Sequence, residues 1–106
     1  MGLRDKFLGA TVPEKTVKTR HGKVLVIGLT VGGRTELQRR VVESDGLLSG
    51  REALVIACAH DPKGRGPLFT WDDLEAVKLV PADDLEPVID AIVALTPGSE
   101  DELEKN

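Results

Sequence analysis

Leu85, Val88, Ile89, Ile92 and Leu95 recur three and four residues apart, the spacing that gathers side chains on one face of an α-helix. Asp83 and Asp84 stand at the start of that stretch, where the positive end of the helix dipole favours acids. Pro87 is expected in the first turn, where its missing N–H has no intrahelical partner. Thr96, Pro97 and Gly98 should stop the helix, and residues 99–106, SEDELEKN, read as an acidic, flexible tail.

The first half of the chain follows other periods. Residues 3–10 suit a short helix with Leu3 and Phe7 on one side, closed before Pro13. From Glu14 to Arg20, Val17 alternates with lysines and threonines as in a half-exposed strand, and Lys23 to Leu29 is a second strand rich in β-branched residues. His21-Gly22 between them fits a tight turn, which makes the two strands an antiparallel hairpin. Thr30 is a candidate N-cap for a helix from about Gly33 to Ser44, with Leu37 and Val41 inward, Glu36 and Arg40 paired outward and Gly46 as C-cap.

Ser49 and Glu52 have capping-box spacing ahead of the apolar run Ala53–Ala59. Its periodicity does not separate buried helix from buried strand; the capping box and three alanines favour helix. His60 to Pro67 is a loop on its Asp-Pro and glycine content, and Thr70 with Asp73 starts a short helix over residues 71–79. The expected fold class is therefore α+β: an N-terminal antiparallel β-hairpin followed by a small bundle of about four helices, in one domain over residues 1–98.

Composition narrows the function classes. A chain of 106 residues builds one core, and with two Phe, one Trp and no Tyr that core must be filled by Leu, Val, Ile and Ala. Stacking on nucleic-acid bases has few aromatic residues to draw on. No apolar run reaches membrane-spanning length, a charged pair sits where a signal peptide would be apolar, and Lys6 occupies the Ser/Thr position of a myristoylation signal, so a cytoplasmic protein is expected. The net charge of −4 hides a division: residues 1–53 hold ten Lys or Arg against six acids, and residues 54–106 hold four against twelve. Such polarity suits charged protein partners or self-association.

Chemistry-bearing motifs are few. Gly28, four residues, then Gly33, Arg34 and Thr35 fall one substitution short of a phosphate-binding loop, the basis of an alternative reading as a small nucleotide-binding enzyme. Arginine is wider and forked where that loop needs a slender lysine, and a hairpin leading into the strand does not provide the parallel layout. His60, Asp61, Asp72 and Asp73 lack metal-ligand spacing and have turn and cap roles instead. Cys58, between alanines, reads as a core thiol. Lys15, Lys18, Arg20, His21 and Lys23 form a basic hairpin face, read as solvated rather than bound to nucleic acid. No cofactor or metal is expected.

Order and spacing along the whole chain carry more. LRDKFLGA at the start, the strand exit VLVIGLT, the buried ALVIACAHDPKGRGPLFT and the closing DDLEPVIDAIVALTPGSEDELEKN together resemble the tail assembly chaperone family of long-tailed bacteriophages and prophages. The chain departs from that pattern with Gly32 and Gly33 before Arg34, where the family tends to carry an acid. The resemblance implies a non-enzymatic protein of the bacterial cytoplasm that binds the tape measure protein, keeps it soluble and assists tail-tube polymerisation before leaving the finished tail. It also implies a frameshift-extended form that recruits tail-tube protein, this chain being similar to the short form. Leu3, Phe7 and Trp71, with the hairpin edge, are the candidate partner contacts.

Overall fold

The computed structural model describes residues 2–95. Strands β1 (Glu14–Thr19) and β2 (Gly22–Ile27) pair antiparallel from Glu14 opposite Ile27 to Thr19 opposite Gly22. The turn between them is Arg20-His21, one residue earlier than the expected His21-Gly22. Thr19 sets that register: its Oγ1 accepts from the His21 N–H at 3.1 Å and donates to the Gly22 carbonyl at 2.7 Å. The positive φ, 129°, then falls on Gly22 at the start of β2. One rung past Ile27 the ladder register still holds, the Gly28 N–H donating to the Pro13 carbonyl at 2.8 Å, and there pairing stops because Pro13 has no N–H to return; a Cβ at Gly28 would meet Pro13 at 3.3 Å.

Helix α1 (Leu3–Leu8) precedes the hairpin and buries none of its residues. Helix α2 (Val31–Glu43) begins two residues before the expected Gly33, with Thr30 as N-cap: its Oγ1 accepts from the Gly33 N–H at 3.0 Å. Gly32 and Gly33 thus lie in the first turn. The helix ends at Ser44 rather than at Gly46, since the Ser44 hydroxyl donates to the Val41 carbonyl at 2.7 Å and accepts from the Leu48 N–H at 3.1 Å. Asp45 and Gly46, at φ 55° and 88°, turn the chain back towards the core.

Helix α3 (Gly50–Cys58) carries the expected capping box: Ser49 accepts from the Glu52 N–H at 3.3 Å and the Glu52 carboxylate accepts from the Ser49 N–H at 3.2 Å. The apolar run is helix only to Cys58. Ala59 turns extended, φ −83° and ψ 125°, and Ala59–His60 form β3, pairing antiparallel with Val26 and Leu25. The sheet order is β1-β2-β3, so the expected hairpin is two strands of three. All of Ala53–Ala59 except the half-buried Ala57 is buried, which is why apolar period alone did not divide helix from strand.

After the loop, a 3₁₀ turn (Trp71–Asp73) runs into α4 (Leu74–Lys78), opened by the Asp73 carboxylate accepting from the Thr70 N–H at 2.8 Å. Helix α5 (Ala82–Leu95) starts directly after Pro81, which puts Pro87 in the second turn and not the first; one main-chain hydrogen bond is missing there. Four helices follow the hairpin, as the sequence leads one to expect. Residues 96–98, expected to stop α5, and the tail 99–106 lie outside the described residues.

One core joins these elements. Val88, Ile89, Ala91 and Ile92 of α5 pack with Ala53, Leu54, Val55 and Cys58 of α3, Leu37 of α2 and Val17 and Val26 of the sheet. Helix α5 lies between β1 and β2 on one side and α3 on the other, with α2 and α4 against α3. The described residues form a single α+β unit.

Candidate functional site

Where α5 meets the tip of the hairpin, the two do not close. Thr19 and Val24 of the hairpin, Leu68 and Phe69 after β3, Val80 and Pro81 before α5, and Leu85 and Val88 on α5 line a cavity of about 490 Å³. Its walls are almost wholly apolar. A separate, smaller cleft of about 220 Å³ shares Thr19, His21, Val24 and Leu68 with it as walls and is otherwise lined by Gly22, Lys23, Asp61 and Pro62. A concave apolar surface of this volume with a few polar groups at its lip is the usual form of a binding site.

The lip is an ionic cluster. Arg20 Nε lies 2.7 Å from Asp84 Oδ1 and its Nη2 donates to Oδ2 at 3.0 Å, while His21 Nε2 sits 2.9 Å from Oδ2. An ionised carboxylate only accepts, so His21 presents a protonated Nε2 to it. The Asp84 side chain is 7% exposed; Arg20 and His21 are 68% and 67% exposed. The His21 hydrogen bond first, and then those of Arg20, hold the Asp84 carboxyl below its ordinary value against the opposing effect of burial. The earlier turn register makes this contact, because Arg20 and His21 are the turn residues. The basic hairpin face, expected to be solvated, is thus partly anchored to α5. A sequence signal for Asp84 was present: it stands four residues before Val88, on the apolar face of the helix.

The expected contact residues are not brought together. Leu3 and Phe7 lie on α1, 72% and 73% exposed, beside Lys6 and Ala10 in a shallow depression. Trp71 is partly buried against the core, with the Arg40 guanidinium 4.7 Å above its ring, in a different depression between α2 and α4. Arg40 also donates to Glu36 at 3.1 Å, the anticipated pair on α2.

The stretch Gly28–Thr35 is not built as a phosphate loop. Three of its main-chain N–H groups are turned inward to the chain itself: Gly28 to the Pro13 carbonyl, Gly33 to Thr30 Oγ1, and Arg34 to the Thr30 carbonyl at 2.9 Å. Strand β2 is flanked on both sides by antiparallel neighbours. His60 and Asp61 close their own loop, His60 Nδ1 lying 3.2 Å from the Arg65 carbonyl and Asp61 Oδ1 accepting from the Lys63 N–H at 2.9 Å. Among the described residues no group of three acids, histidines or cysteines could hold a metal ion. Cys58 is fully buried, and burial pushes its thiol up to about 12. No described helix is long and apolar enough to cross a membrane.

These features define a small α+β domain with an apolar groove. No protein-family model matches the chain, and no curated protein matches its sequence. Among solved structures, the tail assembly chaperone of bacteriophage HK97 has the same fold: the TM-score is 0.53 at 20% identity, over 92% of this chain and 90% of that one. The fold is therefore the one found in the family that the sequence resembles.

Proposed function

We propose that this chain is a tail assembly chaperone of a long-tailed phage or prophage, working in the bacterial cytoplasm. It binds the helical tape measure protein, keeps it soluble while tube subunits polymerise around it, and is absent from the finished tail. The carrying observation is that fold and sequence pattern point independently to one family, the fold over nine-tenths of both chains. The groove supports the reading, since an apolar trough beneath a hairpin suits the apolar face of an amphipathic helix. A frameshift-extended form carrying a tube-protein-binding domain belongs to the same reading.

Co-expression with the long tape measure protein of the same phage or prophage tests it. The expected result is that the tape measure protein turns from insoluble to soluble and co-purifies with this chain. A tape measure protein equally insoluble with and without the chain refutes the proposal. Sedimentation of the free chain measures the self-association that its charge polarity suggests.

A further inference from the structure

Strand β1 stands at an edge of the sheet, and half of its main chain faces outward. The Gly28 N–H on the Pro13 carbonyl marks residues 13 and 28 as a bonded pair. By alternation, residues 15, 17 and 19 bond across to β2, while the N–H and C=O groups of Glu14, Thr16 and Lys18 point away from it. Among the described residues no hydrogen bond takes up those outward groups. The edge is also uncovered: Glu14, Lys15, Thr16 and Lys18 are exposed, and α1, the neighbouring element along the chain, buries none of its residues. A bare edge of this kind is a template for another strand.

The side chains say which strand. Val17 packs into the core, so Glu14, Thr16 and Lys18 share the opposite face of β1. Lys18 stands across from Lys23 in the ladder, a like-charge pairing, and among the described residues neither forms an ion pair. A second copy of β1 laid antiparallel along the edge, with Thr16 opposite Thr16, sets Glu14 against the second copy's Lys18 and Lys18 against its Glu14. The outward groups coincide in that register, and each of these pairs exchanges two main-chain hydrogen bonds. The neighbouring two-fold registers are worse. With Lys15 on the axis, lysine meets lysine; with Val17 on the axis, Glu14 falls opposite the turn, where the strand has ended. Lysines on an edge ordinarily repel a second copy, but here each Lys18 meets an acid. Glu14, already held by Arg65, has room for it, since an ionised carboxylate has about four acceptor positions.

We propose that the chain pairs with a second copy of itself through β1, Thr16 against Thr16 on a two-fold axis, to make one six-stranded antiparallel sheet in the order β3-β2-β1-β1-β2-β3. The axis is perpendicular to the sheet, so both α5 helices and their apolar cavities lie on the same face. This names the surface behind the self-association that the charge division suggests, and it does not depend on the tape-measure reading.

Sedimentation of the unaltered full chain should show a dimer. Thr16→Pro, folded by circular dichroism, should be monomeric at the same concentration, because the N–H it removes lies outside the β1–β2 ladder. Lys18→Glu sets acid against acid twice and should weaken the dimer about tenfold at low ionic strength. A short bis-maleimide should bridge Thr16→Cys into a covalent dimer and leave Lys23→Cys, on the same face but one strand further from the axis, unbridged; Cys58 is buried and does not compete. A monomeric unaltered chain overturns the proposal. So does self-association unchanged by Thr16→Pro or by Lys18→Glu, or bridging as efficient from position 23 as from position 16. Should Thr16→Pro not fold, the other two variants decide.

Discussion

Leu54→Ala probes whether the fold rests on the packing of α3. Leu54 is completely buried in the middle of α3, which touches α2, α4 and α5. The substitution removes three carbons, about 2.4 kcal/mol of transfer free energy at ~0.8 kcal/mol each. The surrounding helices are fixed by the other core residues and collapse only partly, so a cavity contribution of about 1 kcal/mol brings the cost to roughly 3–4 kcal/mol. Domains of this size are stable by about 5–15 kcal/mol, so the variant should fold but stand close to the edge. Urea unfolding followed by circular dichroism measures the loss: with a slope of about 1.3 kcal/mol/M, the midpoint should fall by roughly 2–3 M at unchanged slope. Leu3→Ala is the control, 72% exposed on a helix that buries nothing, and should change stability by less than about 0.5 kcal/mol. A Leu54→Ala cost below about 1 kcal/mol, or equal to that of Leu3→Ala, would refute the assignment of α3 to the centre of the core.

Asp84→Asn should destabilise the protein at neutral pH and not in acid. The folded carboxyl is held below its usual 3.8, chiefly by the His21 hydrogen bond and next by Arg20, so its contribution is present above that value and disappears as pH falls through the folded one. Urea midpoints of the two proteins should converge between about pH 5 and 2; a gap constant with pH would exclude the ionic lip. Glu14 and Glu36, also lowered by arginine partners, titrate alike in both proteins and cancel in the difference. Cys58 should resist iodoacetamide at about pH 8 in the native protein and react once urea unfolds it, because only the exposed thiolate is nucleophilic; equal rates in both states would contradict its burial. Ser49→Ala removes half of the capping box and should cost about 1 kcal/mol in the same urea assay.

Local rules carried the reading wherever the determinants were local. The caps at Thr30, Ser49 and Asp73 bond groups three residues away, and the α5 stripe depends only on helical period, so both were legible in the chain. The turn slipped by one residue because Gly22 advertises a positive φ without saying which side of the turn it stands on; the Thr19 hydroxyl decided. Ala59–His60 could not be told from the end of a helix, since its strand character comes from Val26 and Leu25, more than thirty residues earlier. For the site, Asp84 was read only as an acid at a helix start; its place four residues before Val88 on the apolar face was in the sequence, but its partners Arg20 and His21 were not.

The sequence by itself determined an α+β chain, its helix caps at Thr30, Ser49 and Asp73, its apolar faces, the core place of Cys58 and the resemblance to one family, because caps, periods and ordered motifs act within a few residues along the chain. Tertiary structure alone decided the third strand, the meeting of Arg20 and His21 with Asp84 across more than sixty residues, and the groove they border. A groove is the space left between elements that pack without filling it. Its existence depends on distances between segments remote in sequence, and no local period records those.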